Sequence, residues 1–386
     1  MFRVCRAIME RELFYLWRDK GLRRILLIGP LLGMLLFAGV YSYQRIGDIP
    51  TAIVDLDKSS ASYQVISDLK NAQNLQVVSY PDSFDQLEES IKRGEVIVGV
   101  VIPENYGKNV ALKRQTKVAV VIDGMNMAYA TNATSAVLTV TRTLGAQVGV
   151  ETLIARGIQP TQAQEAYQSI NFQEEAWFNP TLNYAYFLAL AFALNIWQQC
   201  CTLAACMNII GETGVRSWLQ IKASGISKFK LFFCKSLVQI GVFMLMVLPV
   251  YVLAFGVFKY PLACGWSTFL LFTLIFTITL HSLGTLMSSF SGNAVNASRF
   301  GMIIALPSFM VSGFTWPIEA MPQWFQHVAW FFPQTWFFQG LNFLTFKNPG
   351  WGFMSHYFGM LGLMAVLFYS AAALFTWGGK THIRKG

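Results

Sequence analysis

The stretch ILLIGPLLGMLLFAGVYSYQ, running from Ile25 to Gln44, decides how the whole chain is read. It carries no charge, and its length matches the about 20 apolar residues that cross a bilayer core as an α-helix. Five more segments of this kind follow a long polar interval, at residues 182–208, 232–257, 266–289, 298–315 and 354–377. The pattern predicts an α-helical membrane protein with six transmembrane helices and one large watery insertion after the first. Most soluble-enzyme readings fall at this step.

Outward from that stretch, the flanking charges set orientation. Arg3, Arg6, Arg11, Arg18, Lys20, Arg23 and Arg24 precede the first span, and Arg216, Lys222, Lys228, Lys230 and Lys235 follow the second. The positive-inside rule places both groups on the cytoplasmic side. Lys380, Arg384 and Lys385 return the tail, residues 379–386, to that side. N- and C-termini are therefore expected in the cytoplasm, as in a multi-pass protein of a bacterial inner membrane. The leading basic region is too long for a cleaved signal peptide and contains Glu10, Glu12 and Asp19. Residues 1–24 set Phe2, Leu13, Phe14 and Trp17 among these charges, which suits an interfacial amphipathic helix ahead of a first span at 25–46. An ordinary cytosolic helix is the plainer alternative.

Composition agrees. The chain is 54% hydrophobic and 13% charged, against about a quarter charged in soluble domains. Its net charge of +9 is not a nucleic-acid signal, because the interval from Gly47 to Asn179 holds 10 Lys/Arg against 15 Asp/Glu. The surplus cations lie on the membrane part. All six Cys fall outside that interval, which excludes a disulfide-stapled outer module. Cys200, Cys201 and Cys206 lack metal-site spacing with His and read as small apolar residues of a membrane helix.

The insertion, 47–180, reads as an extracytoplasmic α/β domain with a long helical extension. Strands are expected at Ala52-Ile53-Val54, Leu75 to Val78, Val96 to Ile102 and Lys117 to Ile122. The third is a continuous apolar run between Gly94 and Pro103, as in a strand buried on both faces. Helices are expected from Ser60 to Leu69 and after the capping-box spacing Ser83-Phe-Asp-Gln86, with Gly94 as a stop. A further helix runs from Asn126 to about Arg156 and ends before Pro160, with a new N-terminus at Thr161. Asp55, Asp57 and Asp123 sit at strand ends, where a turn carboxylate is the plainer reading and a cation ligand the sharper one. Asn132-Ala-Thr134 fits a glycosylation sequon of low specificity. Gly378-Gly-Lys-Thr381 mimics the end of a P-loop, but the first Gly is replaced by Leu374 and no strand precedes it. It reads as a basic membrane-exit tail.

In its ordered landmarks the chain resembles the permease subunits of ABC-2 type exporters, in the subgroup with a large periplasmic domain after the first helix. The resemblance rests on Glu12 with Arg18-Asp19-Lys20 and Pro30; on Ile53-Val-Asp55-Leu-Asp57-Lys-Ser59-Ser60; and on Gly94, Ile102-Pro103 and Val121-Ile-Asp123-Gly124. It continues in Glu212, Arg216-Ser-Trp-Leu219 and Ala223-Ser-Gly-Ile-Ser227, then Pro307, Ser312-Gly-Phe314, Trp316-Pro-Ile318, Met321-Pro322 and Pro333-Gln-Thr335. Gly225 stands where a Pro is common, and 335–346 lack an Arg often found there. The resemblance implies an ABC ATPase subunit as partner and a second permease, identical or paralogous. ATP and Mg would sit on the ATPase, with no cofactor or metal on this chain.

The residues support the same plan. Segment 212–235 mixes charge with the anchors Trp218, Leu219, Ile221, Ile226 and Phe229, as a helix docking in a partner's groove would. Its candidate coupling residues are Glu212, Arg216, Trp218, Leu219, Ala223, Ser224, Gly225, Ile226, Ser227 and Lys228; a plain positive-inside loop is the alternative. Residues 316–347 hold Pro317, Pro322 and Pro333 and are too broken to span. A re-entrant outer segment is expected, with Trp316, Pro317, Glu319 and Pro322 as an outer gate; for Glu319 a solvated carboxylate is the plainer reading. Asn183, Asn195, Gln198, Gln199 and His281 are the candidate substrate path, weighed against helix–helix hydrogen bonding. The resulting expectation is a transport subunit, not an enzyme, exporting an amphipathic or hydrophobic drug- or lipid-like molecule. A periplasmic adaptor is a further candidate partner. The alternative is a non-transporting scaffold or receptor that binds through the outer domain.

Overall fold

The computed structural model describes residues 2–43, 46–72, 74–167, 177–214 and 225–378. The chain divides into two compact units: Met1–Gln44 with Ala176–Gly386, and Arg45–Glu175.

The first unit is helical. An amphipathic helix, α1 (Phe2–Arg18), buries Ile8, Glu12 and Leu16 along one stripe and exposes Leu13, Phe14 and Trp17 on another. Asp19 then caps α2 (Lys20–Val40) by accepting the Leu22 N–H, so this helix starts five residues before the apolar run that betrays it. Next come a π-helical turn, Ala185–Ala189, continuous with α8 (Leu190–Ala205), and the short α9 (Ile210–Gly214). After residue 225 follow α10 (Lys228–Tyr251) with a π-helical end at Val252–Val257, α11 (Trp266–Phe290) and α12 (Ala294–Val311). The last is α15 (Trp351–Gly378). Among the described residues six helices are long and apolar enough to cross a membrane, at 20–40, 185–205, 228–257, 266–290, 294–311 and 351–376.

The broken stretch before α15 folds into α13 (Gln323–Ala329) and α14 (Pro333–Asn342), closed by a π-helical turn at Phe343–Lys347. Nearly all of α14 is buried. Phe337 stacks on Phe276 of α11 with ring centroids 3.8 Å apart, and Gly340 lets the Phe272 ring approach so closely that a Cβ would lie 2.4 Å from it. Close packing of this kind stands in for the hydrophobic driving force that lipid removes.

The second unit is a four-stranded sheet in the order β2-β1-β3-β4, formed by β1 (Ile49–Asp55), β2 (Leu75–Ser79), β3 (Val98–Ile102) and β4 (Ala119–Ile122). β1 pairs parallel with β2 and β3, and β4 closes the other edge antiparallel. Every residue of β3 is buried, as its unbroken apolar run predicts. The helices are α3 (Ser60–Lys70), α4 (Phe84–Lys92), α5 (Tyr106–Ala111), α6 (Met127–Ile154) and α7 (Pro160–Tyr167). Gly94 stops α4 at φ +71. The capping spacing at Ser83 is shifted: Gln86 accepts the N–H of Asp82, one residue before the cap. Pro160 opens α7 instead of only ending its predecessor, since the first helical position needs no N–H.

Candidate functional site

The helical unit buries an ionic cluster where α1, α9 and α10 meet. α10 turns Leu231, Cys234 and Lys235 inward, and Leu231 and Cys234 pack on Ile8 of α1. Cys5 and Cys234 form a disulfide, with Cα atoms 5.8 Å apart. One residue on, Lys235 is 3% exposed. Its Nζ donates to Glu212 Oε1 at 2.6 Å and to the Asn208 carbonyl at 2.9 Å, and lies 3.4 Å from Glu12 Oε2. Three acceptors match the three protons of an ammonium. Arg11 donates to the same Glu212 oxygen. Two carboxylates and two cations thus cancel within one buried cluster.

From Glu12 a polar chain runs deeper. Gln239 Nε2 donates to Glu12 Oε1 at 2.6 Å, because an ionised carboxylate only accepts. Gln239 Oε1 therefore accepts from His281 Nε2 at 3.0 Å, which puts the imidazole proton on Nε2. His281 Nδ1 in turn accepts the Tyr369 hydroxyl at 2.8 Å. Asn208 donates to Thr285, and Ser288 accepts the N–H groups of Ile209 and Ile210, fixing the turn before α9 onto α11. The arrangement connects α1, α9, α10, α11 and α15. It contains no nucleophile with a base and orienter.

This cluster frames the predicted coupling segment. Glu212 stands on its N-terminal side. On its C-terminal side Gly225 has φ +64, Ile226 packs near Ile8, and Ser227 caps α10 by accepting the Lys230 N–H. The positive φ suits Gly225: proline is held near −65° and cannot occupy that conformation. Lys228 is half-buried at the start of α10. Arg216, Trp218, Leu219, Ala223 and Ser224 lie outside the described residues, as does the 379–386 tail. Lys235, counted above among orienting loop charges, is a buried ion partner, because α10 begins at Lys228 and not at residue 232.

The polar residues of the candidate path separate into roles. Asn183 is buried and accepts the N–H groups of Ala185 and Tyr186, so it caps the helix that leads into α8. Gln198 is fully buried; it donates to Asn195 and to the Ala305 carbonyl and accepts from Gln334 of α14 at 2.9 Å. Gln199 donates to Asn195. His281 belongs to the ionic cluster instead of this set. Of the outer-gate candidates, Trp316, Pro317, Glu319 and Pro322 are all exposed, and Pro322 directly precedes α13. In the outer unit Asp55 accepts the Asp57 and Lys58 N–H groups and bonds Ser62, while Asp57 accepts the Gly107 N–H at 2.8 Å. Both aspartates shape the turn after β1. The Ser59 side chain and the Gly107 N–H hold the Asp57 carboxyl below its usual range. Among the described residues no cluster of His, Cys, Asp and Glu has the makings of a metal site.

These features define a multi-pass, mostly helical membrane protein. The sequence pattern described as "ABC-2 family transporter protein" matches residues 20–374, and the chain belongs to that family as an ABC-2 permease. It is similar to the "Probable multidrug ABC transporter permease YbhR" of Escherichia coli (strain K12), 20% identical over 333 residues, covering 86% of this chain and 87% of that protein. It is similar to the "Inner membrane transport permease YhhJ" of the same strain, 22% identical over 331 residues and covering 84% of each. The "Linearmycin resistance permease protein LnrN" of Bacillus subtilis (strain 168) is 27% identical over 106 residues, covering 28% of this chain and 26% of that protein. ABC-2 permeases work with an ATPase subunit.

Proposed function

We propose that this permease exports an amphipathic or hydrophobic small molecule, drug- or lipid-like, across a bacterial inner membrane. A separate ATPase docks on segment 212–235 and holds the ATP and Mg; this chain holds neither. Two permeases, identical or paralogous, form the path between them. The chain belongs to the subgroup with a large periplasmic domain, here residues 47–180. Both termini are cytoplasmic, residues 1–24 lie on the inner membrane face, and 316–347 form a re-entrant outer segment. A periplasmic adaptor is the further partner of the outer domain.

The observation that carries this reading is the Glu12–Lys235–Glu212 cluster beside the docking segment. A loop that only oriented the protein would need cations in water, and Lys235 is removed from water to clamp the segment's entrance onto α1 and α10. The names of the relatives, multidrug and linearmycin resistance among them, support a drug-like cargo. The test co-expresses the permease with candidate ATPases and measures co-purification, hydrolysis and efflux of lipophilic dyes. Trp218→Ala is expected to release the ATPase while leaving the permease in the membrane. Unchanged association and efflux in that variant, or nucleotide hydrolysis by the purified permease alone, overturns the reading.

A further inference from the structure

The outer unit contains a cleft of about 960 Å³ between β4, the segment 113–118 and one face of α6. Its volume is at the upper end of the about 300–1,000 Å³ typical of small-molecule sites. One wall is the face of β4 and its lead-in that carries Val118, Val120 and Ile122, at the strand's period of two. The other is Val137, Thr141, Leu144 and Val148, one stripe of α6 at helical spacing. Thr134, Thr141 and Thr152 spend their hydroxyls on carbonyls of their own helix, so they turn no unmet polar group into the cleft. The wall is open: Leu138 is 45% and Val120 36% exposed.

The lining holds three cations, Lys113, Arg114 and Arg156, and no carboxylate. This runs against the unit's own balance, in which acidic residues outnumber basic ones. Lys92 and Arg93, elsewhere in the unit, pair with Glu88 and Glu89, whereas none of the three cleft cations has a carboxylate within 4.0 Å among the described residues. All three line the same cleft, Lys113 and Arg114 from the segment before β4 and Arg156 from just beyond the end of α6.

From the apolar walls and the unpaired cationic end we propose that this cleft binds a free amphipathic anion: an alkyl or fused-ring body with one carboxylate, sulfate or phosphate. The apolar body lies along α6 and β4, and the anion is met by Lys113, Arg114 and Arg156. The inference does not rest on the transport reading, because binding here requires no ATPase.

The test uses the full chain in nanodiscs of zwitterionic phosphatidylcholine, without ATPase. The probe is a long-chain fatty acid carrying a diazirine, with the matching fatty alcohol as control and peptide mapping by mass spectrometry as readout. The acid is expected to label residues 134–153 and 118–122 and the alcohol to label them several-fold less. Gly145 lines the cleft, and a Cβ there would meet nothing within 4 Å. Gly145→Leu therefore projects an apolar side chain into the cleft without a clash while raising helix propensity, so loss of labelling in that variant is not a folding failure. Lys113→Glu/Arg114→Glu/Arg156→Glu is expected to cut labelling about tenfold, the sum of modest exposed charge contacts. Equal labelling by the alcohol, or labelling untouched by both variants, assigns the probe to the bilayer and overturns the proposal. Export that fails while labelling survives bears on the transport reading alone.

Discussion

Lys235→Met tests the ionic cluster most directly. The ammonium is 3% exposed and serves Glu212, the Asn208 carbonyl and Glu12 at 2.6, 2.9 and 3.4 Å. Methionine keeps the stem's volume and removes the charge. Glu212 retains Arg11, so the burden falls on Glu12, left buried with the neutral Gln239 alone. Stranding a buried charge costs about 3–5 kcal/mol, a large share of the about 5–15 kcal/mol that holds a typical domain. The retained Arg11 contact puts the expected loss near the lower bound, about 3 kcal/mol. Glu12→Gln in the same background removes the stranded charge while keeping a hydrogen-bonding amide, so Glu12→Gln/Lys235→Met is expected to recover most of it. Unfolding of the purified permease in mixed micelles, run as a double-mutant cycle, reads the coupling directly. A Lys235→Met protein as stable as the parent, or a double variant no better than the single, refutes the claim that these groups act as one buried unit.

The amide contact between Gln198 and Gln334 is expected to be structural: Gln198→Leu/Gln334→Leu retains export better than either single change, whereas a cargo contact would leave the pair as inactive as Gln198→Leu. Gly225→Pro cannot reach φ +64, and the expected outcome is an intact, membrane-inserted permease that no longer retains its ATPase on co-purification. At Gly284 a Cβ would lie 2.4 Å from the Ala205 Cβ; Gly284→Val is expected to lower stability by about 1–3 kcal/mol, with part of the loss relieved by Ala205→Gly in thermal melts. Asp57 has a folded-state pKa below its unfolded value, through Ser59 and the Gly107 N–H. Its contribution is therefore present above the usual carboxylate pKa and fades as pH falls through the lowered one. Melts of the outer unit in the whole protein, taken at stepwise lower pH, are expected to show a shallower acid decline for Asp57→Asn than for the parent.

The parts readable from the sequence are those set by local pattern. The apolar runs locate the six helices among the described residues that are long and apolar enough to cross a membrane, because crossing lipid demands a contiguous signal. Val98–Ile102 is a doubly buried strand because both its faces are apolar, and Gly94 ends α4 because only glycine takes that φ freely. The ionic cluster lacked such a signal. Its Arg11–Glu212 and Gln239–Glu12 bonds join residues 201 and 227 positions apart. Lys235 reads as an orienting charge because it follows Lys228 and Lys230 in sequence, although Lys235 and Gln239, one turn apart on a helix, mark a buried polar face. Glu12 gave the matching hint, sitting four residues from Ile8 and from Leu16 on α1's buried stripe. The span-two amides were visible as residues and invisible as partners, since Gln334 comes from a segment whose fold local pattern does not determine.

The placement of strong and weak polar contacts bears on how such a permease would move. A buried ion pair is often no more stabilising than an apolar replacement, so the cluster's value lies in direction and register. Apolar seams tolerate sliding because burial is non-directional; an ammonium shared by Glu12, Glu212 and the Asn208 carbonyl does not. Displacing α9 without α10 would strand Glu212, and displacing α10 without α1 would strand Glu12. The entrance to segment 212–235 is therefore bound to α1 and α10, and Gln239–His281–Tyr369 extends the bond to α11 and α15. At α14 the polar contacts to α8 and to the end of α12 are neutral, Gln334 on Gln198 and Gln339 on the Ser312 carbonyl, and interhelical bonds of that class average only about 0.6 kcal/mol in a membrane.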